Sequence, residues 1–287
     1  MSIVIWADGR LCGPGDPVVT AVDHGLTVGD GIFETCSVAD GHAFALTRHL
    51  RRLARSARGL GLTDPDEDAI RAGVEAVLAA AGPDVGRVRI TVTAGPGPLG
   101  SNRAEPGTAR QTVLVLAGPV VRSAVARVVR VPWVRNERSA VAGLKTTSYA
   151  ENVVALAQAY RRGADEALLA NTVGELCEGT GSNVLVERGG ELVTPGLASG
   201  CLAGITRELL LEWAAEDGLP VREARAGELP FEVLDAVAAG TGHLSLSGSI
   251  RNVVPVVSLD ERDVVPGELS LAARHLFETR SAENVDP

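Results

Sequence analysis

Gly143-Leu144-Lys145-Thr146-Thr147-Ser148-Tyr149-Ala150-Glu151-Asn152 is the stretch on which the reading of this chain turns. Lys145 is the only lysine; the other members of the Lys+Arg count of 27 are all arginines. Arginine therefore serves wherever a plain surface cation will do, and a lone lysine marks a position where a guanidinium will not. Arginine stays charged, whereas an ammonium shifts its pKa when desolvated and forms a Schiff base with an aldehyde. Compositional drift that left one lysine is the bland alternative, and composition alone does not choose between them. The surroundings favour function. Lys145 follows the small apolar run Ala140-Val141-Ala142-Gly143-Leu144, which reads as the end of a buried segment. It precedes Thr146, Thr147 and Ser148, whose hydroxyls can bond a ligand or cap a helix. From Tyr149 the spacing of Val153, Val154, Leu156, Ala157 and Tyr160 predicts a helix.

The 287 residues allow one large domain or two ordinary ones. Hydrophobic content of 45% and charged content of 22% are ordinary for a soluble globular protein. A net charge of −9 argues against a general nucleic-acid surface. No apolar run is long enough to span a membrane, and the first residues lack the basic region of a secretory signal. Cys12, Cys36, Cys177 and Cys201 form no C-x-x-C pair, so reduced thiols in a cytoplasmic protein, with no metal site, are expected.

Upstream of the lysine, residues 2–7 alternate toward Asp8-Gly9, a hairpin signal. The glycines of Asp23-His24-Gly25-Leu26-Thr27-Val28-Gly29-Asp30-Gly31 are spaced for close backbone approach. They are no dinucleotide fingerprint, because 32–38 reads as a strand and Ala39-Asp40-Gly41 as its turn. Thr47 is expected to cap a helix through Leu50, Leu53, Ala54, Ala57 and Leu60, with Arg48, Arg51, Arg52, Arg55 and Arg58 on its solvated face. Asp64-Pro65 is expected to open a second helix that ends near Gly82. Strands over 88–93 and 112–116 flank a loop over 94–107, long enough to suggest function. Strands with helices packed after them make this half an α+β arrangement, and Gly118-Pro119 looks like its boundary.

Downstream, strands are expected at 125–132, 166–170 and 175–187, the last interrupted by Glu178-Gly179-Thr180-Gly181-Ser182-Asn183. Gly189-Gly190 turns into Leu192-Val193. An amphipathic helix follows Cys201-Leu202-Ala203-Gly204-Ile205-Thr206-Arg207 and stops at Gly218-Leu219-Pro220. Residues 236–239 read as a buried strand ending in Gly240-Thr241-Gly242-His243. A strand at 253–257 and a helix around 269–277 close the chain. The expected organisation is a small α+β domain over 1–118, a linker over 119–124 and a large domain of α/β character over 125–287.

Three features then converge. The helix start at Gly204-Ile205-Thr206 offers backbone N–H groups, a hydroxyl and a favourable dipole, a site for phosphate. Gly240-Thr241-Gly242 offers a second set of N–H groups. Glu178 is a carboxylate among small residues. Taken singly these read as a cap, a tight turn and a surface glutamate. Taken together, a lysine for an imine, a phosphate cradle and a carboxylate for a pyridinium nitrogen are what pyridoxal phosphate requires.

On these residues the chain resembles the class IV aminotransferases, the fold type IV pyridoxal-phosphate enzymes. That family includes branched-chain and D-amino acid aminotransferases, (R)-amine transaminases and aminodeoxychorismate lyases. The most specific pieces are Leu144-Lys145-Thr146, Glu178-Gly179-Thr180-Gly181-Ser182-Asn183 and Leu202-Ala203-Gly204-Ile205-Thr206-Arg207. The resemblance implies a two-domain D-amino acid aminotransferase-like fold and a homodimer with active sites near the subunit interface. It implies that Lys145 holds the cofactor aldehyde and shuttles a proton, and that Glu178 binds the ring nitrogen. Arg52, Gly204, Ile205, Thr206, Gly240 and Thr241 would bind the phosphate, with Ser182 and Asn183 in the same cofactor-binding set.

The subfamily signatures are absent. The Arg-x-His trap of D-amino acid enzymes and the Arg-rich loop of the lyases are replaced by Ala94-Gly95-Pro96-Gly97-Pro98-Leu99-Gly100. Phe33 stands where D-amino acid enzymes commonly carry tyrosine. Thr146-Thr147-Ser148 resembles the lyase and D-amino acid groups more than the Gly-Gly-Asn-Tyr of branched-chain enzymes. Phe33, Thr35, Arg103, Arg135 and His243 are the expected substrate residues, with Arg103, Arg135 or His243 holding the carboxylate. Transamination from a D-amino acid or small (R)-amine to a 2-oxo acid is the expected reaction. Lysis of aminodeoxychorismate and branched-chain transamination are the alternatives.

Overall fold

Trp6, Ile32, Ile90 and Val115, from four different strands, share one apolar core with Leu50, Leu53, Ile70 and Val74 from two helices. This computed structural model describes residues 3–105, 108 and 110–287. The chain forms two compact units, the first built from the residues up to Val121 together with Leu144–Tyr149 and Val285–Pro287. Its strands are β1 (Val4–Ala7), β2 (Arg10–Cys12), β3 (Gly31–Ala39), β4 (His42–Ala43), β5 (Arg87–Thr93) and β6 (Thr112–Gly118). They pair antiparallel in the order β2-β1-β6-β5-β3-β4. The turn at Asp8-Gly9 falls as expected; Ser2, at the edge of that expected strand, lies outside the described residues.

The helices of this unit are α1 (His24–Thr27), α2 (Leu46–Leu60) and α3 (Glu67–Ala80). Thr47 does not cap α2. The helix starts one residue earlier, from Ala45 in a left-handed conformation with no side-chain cap bond. The missing cap comes from far along the chain, because Asp286 accepts the Thr47 N–H at 2.9 Å and its hydroxyl at 2.6 Å. The Ala45 N–H donates to the Val285 carbonyl and Arg48 Nε to the Pro287 carbonyl. Asp64-Pro65 does not open α3 either. Asp66 is its cap, accepting the Ala69 N–H at 3.0 Å, and a local carboxylate bond to an orphan N–H outweighs proline's preference for the first turn.

The second unit comprises Arg122–Gly143 and Ala150–Asn284. Its strands are β7 (Ala126–Arg135), β8 (Glu166–Asn171), β9 (Leu176–Gly179), β10 (Asn183–Arg188), β11 (Glu191–Thr194), β12 (Val221–Glu223), β13 (His243–Gly248), β14 (Asn252–Leu259) and β15 (Arg262–Asp263). The order is β12-β11-β10-β13-β14-β7-β8-β9, with β15 on β14. Parallel pairs (β11 with β12, β14 with β7, β7 with β8) sit among antiparallel ones, so the sheet is mixed. The helices are α4 (Ala150–Arg161), α5 (Ile205–Asp217), α6 (Val233–Ala238) and α7 (Glu268–Glu283). Ala155 and Ala159 of α4 pack on Val129, Ala167 and Leu169, while Trp213 of α5 meets Phe277 of α7 at 5.2 Å between ring centroids.

Residues 236–239 are not a strand. They belong to α6 and its end, with Leu234 and Val237 buried at a three-residue spacing that a short apolar run conceals. The strand in this region is β13, where Leu244 and Leu246 enter the core and Ser245 and Ser247 take the other face. The mixed α+β architecture is as expected. No helix among the described residues is long and apolar enough to cross a membrane.

Candidate active site

Lys145 follows no buried segment. Residues 139–142 form turns, with the Ser139 N–H on the Asn136 carbonyl and the Ala142 N–H on the Ser139 carbonyl, and Val141 is exposed. The lysine itself is fixed within the first unit by its backbone. Its carbonyl accepts the Phe33 N–H at 3.1 Å, its N–H donates to Ser56 Oγ at 3.2 Å, and Thr146 forms an antiparallel bridge with Ile32. The segment thus lies along β3, and Thr147 continues it with an N–H to the Gly31 carbonyl. The side chain runs to aromatic surface. Nζ is 4.4 Å from the Phe33 ring centroid and 5.8 Å from that of Tyr149, and the two rings meet edge to face at 5.2 Å. Aromatic neighbours attract the ammonium form while shielding it from water.

A cation that the sequence reading missed shares this ring. Arg89 Cζ lies 3.9 Å from the Phe33 centroid, and its Nε donates to Thr91 Oγ1 at 3.3 Å. Phe33 is opposite Thr91 and Thr35 opposite Arg89 in the β3–β5 register, so these four share one face of the sheet. The alternation Arg87-Val88-Arg89-Ile90-Thr91-Val92-Thr93 carried the signal, for it sends polar side chains to the face of Phe33.

Arg103 is not a movable substrate cation. It donates to both oxygens of Asp30 at 2.7 Å, to the Gly61 carbonyl at 2.7 Å and to the Leu60 carbonyl at 2.8 Å. The paired carboxylate raises its pKa further. The loop is also pinned at its start, where His24 Nε2 donates to the Pro98 carbonyl at 2.9 Å. A Cβ on Gly97 would stand 2.3 Å from that ring, so only glycine fits there. Residues 106 and 107, at the far end of the expected loop, lie outside the described residues.

Arg52, expected on phosphate, is buried and fork-bonded to Glu34, Nε to Oε1 and Nη2 to Oε2, each at 2.7 Å. His49 Nδ1 meets Glu34 Oε2 at 2.6 Å. Burial alone would push the Glu34 carboxyl up, but the Arg52 guanidinium with its hydrogen bonds, and then His49, hold it well below its ordinary 4.5. Burial also lowers His49 from its ordinary 6.5, against the pull of Glu34. Both folded values lie below the unfolded ones, so both groups lend stability at neutral pH that is lost as the pH falls through 6.5 and then 4.5. Glu34→Gln leaves Arg52 buried without its partner and should cost about 3–5 kcal/mol at pH 7. Urea unfolding at pH 7 and pH 4 should show the parent's advantage shrinking at the lower pH; an equal gap at both would refute it.

In the second unit Glu178 closes β9. Its Oε2 accepts the Leu202 N–H at 2.9 Å and its Oε1 accepts Arg135 Nε at 3.1 Å. Arg135 is thereby a partner of Glu178 rather than a substrate ligand, and its Nη1 continues to Asn152 Oδ1 at 3.3 Å. Asn183 Nδ2 donates to the Leu202 carbonyl at 2.8 Å, so the backbone of Leu202 is clipped between Glu178 and Asn183. Ser182 Oγ donates to Glu166.

The α5 helix opens at Gly204, which has no side chain to cap its first N–H groups, and Ile205 and Thr206 are buried. A Cβ on Gly204 would stand 2.0 Å from Asn183 Oδ1, and Asn183 faces Ser247 in the β10–β13 register. The Ser247 hydroxyl is buried with no hydrogen-bond partner among the described residues. An uncapped helix start with an unmatched hydroxyl nearby suits an anion rich in acceptor oxygens. The second expected cradle fails, because the Gly240 and Thr241 N–H groups already bond the Val237 and Ala236 carbonyls at the end of α6. Thr241 Oγ1 also donates to Ala236, and the residue is exposed. His243 begins β13, at the opposite end from Gly248, with its Nδ1 on the Val265 carbonyl. Ser247 is the residue that sequence reasoning passed over, hidden in a strand whose leucines drew attention.

The donor set therefore fits pyridoxal phosphate: a carboxylate held by backbone and guanidinium for a ring nitrogen, and an uncapped helix start for a phosphate. The amino-transferase class IV family matches residues 31–259. The chain is 32% identical over 269 residues to a protein of Methanocaldococcus jannaschii named as a branched-chain-amino-acid aminotransferase, covering 90% of this chain and 88% of that one. It is 30% identical to a bifunctional aminodeoxychorismate lyase / D-amino acid transaminase of Mycobacterium tuberculosis, covering 75% and 79% of the two chains. Among solved structures it is similar to a hypothetical aminotransferase from Mycobacterium tuberculosis in its PLP-bound form. That match has a TM-score of 0.82 at 26% identity and covers 97% of this chain and 98% of the other. On the family match and these relatives, the chain belongs to the class IV aminotransferases, pyridoxal-phosphate enzymes of fold type IV.

Proposed function

We propose that this enzyme transfers an amino group from an amino acid, D-amino acids foremost, to a 2-oxo acid such as 2-oxoglutarate or pyruvate. The observation that carries the reading is Arg89, stacked on the ring that also faces Lys145 Nζ. A guanidinium there suits one carboxylate of a donor whose amino carbon is presented to the lysine. Amines without a carboxylate make no use of it. The lyase substrate carries two carboxylates, and Arg103 is committed to Asp30. Thr146-Thr147-Ser148 favours the D-amino acid group. Branched-chain L-amino acids are the second reading, favoured by the Methanocaldococcus jannaschii relative and the apolar Phe33.

Pyridoxal phosphate, when bound, supplies an aldehyde for the amino group and a ring that draws electrons from the adjacent carbon. Lys145 would hold that aldehyde and, as a free amine, would take the Cα proton at Nζ. Glu178 would accept a hydrogen bond from the N–H of a protonated ring nitrogen, its orientation set by Leu202 and Arg135. The N–H groups of Ile205 and Thr206, at the uncapped start of α5, would bind phosphate oxygens. Arg89 orients the donor, which selects the bond that Lys145 attacks.

The test is a single-turnover panel of D-alanine, D-glutamate, L-leucine, 1-phenylethylamine and aminodeoxychorismate, read by the cofactor's visible absorption. D-amino acids should bleach it and a 2-oxo acid restore it. Release of 4-aminobenzoate with no bleaching by any amino acid would reverse the reading. Arg89→Gln should raise KM for the amino acid roughly 10–100-fold, as loss of one charge-assisted pair predicts. An unchanged KM removes Arg89 from the site. The enzyme further pairs with a second copy of itself. Val153, Val154 and Tyr160 leave the outer face of α4 apolar and exposed, and sedimentation should give twice the chain mass. A monomer at micromolar concentration would exclude the pairing.

A further inference from the structure

Glu166 begins β8 with its carboxylate almost wholly buried, 1% exposed. Six donors point at it. Oε1 accepts the Thr180 N–H at 2.9 Å, the Thr180 hydroxyl and the Ala167 N–H at 3.1 Å. Oε2 accepts Ser182 Oγ at 2.8 Å, the Gly181 N–H at 3.3 Å and Arg251 Nη2 at 3.4 Å. Thr180, Gly181 and Ser182 are the turn that directly follows Glu178-Gly179. From that turn the bonding runs on: Asn152 Nδ2 to the Thr180 carbonyl at 2.5 Å, Arg135 Nη1 to Asn152 Oδ1 at 3.3 Å, and Arg135 Nε to Glu178 Oε1 at 3.1 Å. Thr180 and Glu178 are separated by one residue, so the path closes into a ring.

We propose that Glu166 is a positioning residue for Glu178, acting through Thr180, Asn152 and Arg135; this rests on the reading of Glu178 as the ring-nitrogen partner. Glycines flank Thr180, so the turn has little stiffness of its own and must be held from outside. A buried carboxylate whose one cationic partner among the described residues is 3.4 Å away is a poor device for stability alone, since apolar packing does that better. What an acceptor-only group facing six donors gives is orientation: the turn cannot rotate without losing several bonds together. The turn then fixes Asn152, Asn152 fixes Arg135, and Arg135 sets the direction of the Glu178 oxygens.

The test compares parent, Glu166→Gln, Asn152→Ala and Glu178→Gln holoenzymes by kcat and KM, the pH midpoint of the cofactor's visible absorption, and thermal unfolding. Glutamine at 166 turns an NH2 toward donors. It should lower kcat about tenfold with KM within about twofold, as loss of a supporting contact to a reacting group does. The absorption midpoint should move in the direction seen with Glu178→Gln. A Glu166→Gln enzyme that melts lower yet keeps the parent's kcat and midpoint overturns the proposal. If that variant does not fold, Asn152→Ala breaks the same path between Thr180 and Arg135. It must show both shifts, and parent-like values there overturn the proposal too. If Glu178→Gln moves both quantities while the other two move neither, the positioning role alone fails. If Glu178→Gln moves neither, the ring-nitrogen reading fails and this proposal with it.

Discussion

Lys145→Ala should leave a folded protein whose turnover is lower by roughly 10³-fold or more, the scale on which loss of a nucleophile-base falls. The fold should survive because the Lys145 backbone, not its side chain, ties the segment to Phe33 and Ser56. The side chain places Nζ against the Phe33 and Tyr149 rings. No second lysine exists in the chain to substitute for it. Borohydride treatment of the holoenzyme followed by peptide mapping should therefore place the cofactor on one internal peptide, the one containing Lys145. A label elsewhere, or turnover that persists in the variant, defeats the assignment.

Glu178→Gln should lower kcat on the order of 10²-fold, the usual loss when one preorganised electrostatic partner is removed. Cofactor affinity should change far less, because the proposed phosphate site is elsewhere, at the start of α5. The amide keeps the size of the carboxylate but cannot hold a proton on the ring nitrogen as an anion does. It also presents an NH2 toward either the Leu202 N–H or Arg135 Nε, both donors. Dialysis and kinetics on the same preparation separate the two effects. A variant with normal kcat would make Glu178 a turn residue and nothing more.

Legibility followed distance along the chain. Lys145, Glu178 and the Gly204-Ile205-Thr206 helix start are short motifs whose chemistry is visible in their own neighbours, and α5 opens at Gly204 as its motif suggested, although no buried segment precedes Lys145. The substrate side was harder to read. Arg103, Arg135 and His243 were reasonable cations in isolation, but a cation's role depends on which acceptor reaches it first. Asp30, Glu178 and the Val265 carbonyl do so, and two of these three lie more than forty residues away. Arg89 escaped notice for the converse reason, because it looks like any polar residue on a strand until the register sets it on Phe33. Element ends misled where a remote group competes with a local preference, as Asp286 does at α2. The 236–239 run misled because four apolar residues carry no period.

The cap that Asp286 places on α2 also bears on the order in which this protein is made. Domains generally fold in the order in which synthesis delivers them, the N-terminal one first. Here the first unit draws on Leu144–Tyr149 and on Val285–Pro287, so a nascent chain that has already produced β1 through β6 still lacks two of its pieces. One is the segment that carries Lys145; the other supplies the acceptor for the first turn of the helix bearing His49, Arg52 and Ser56. The early half must wait, partly assembled, through the translation of the later half.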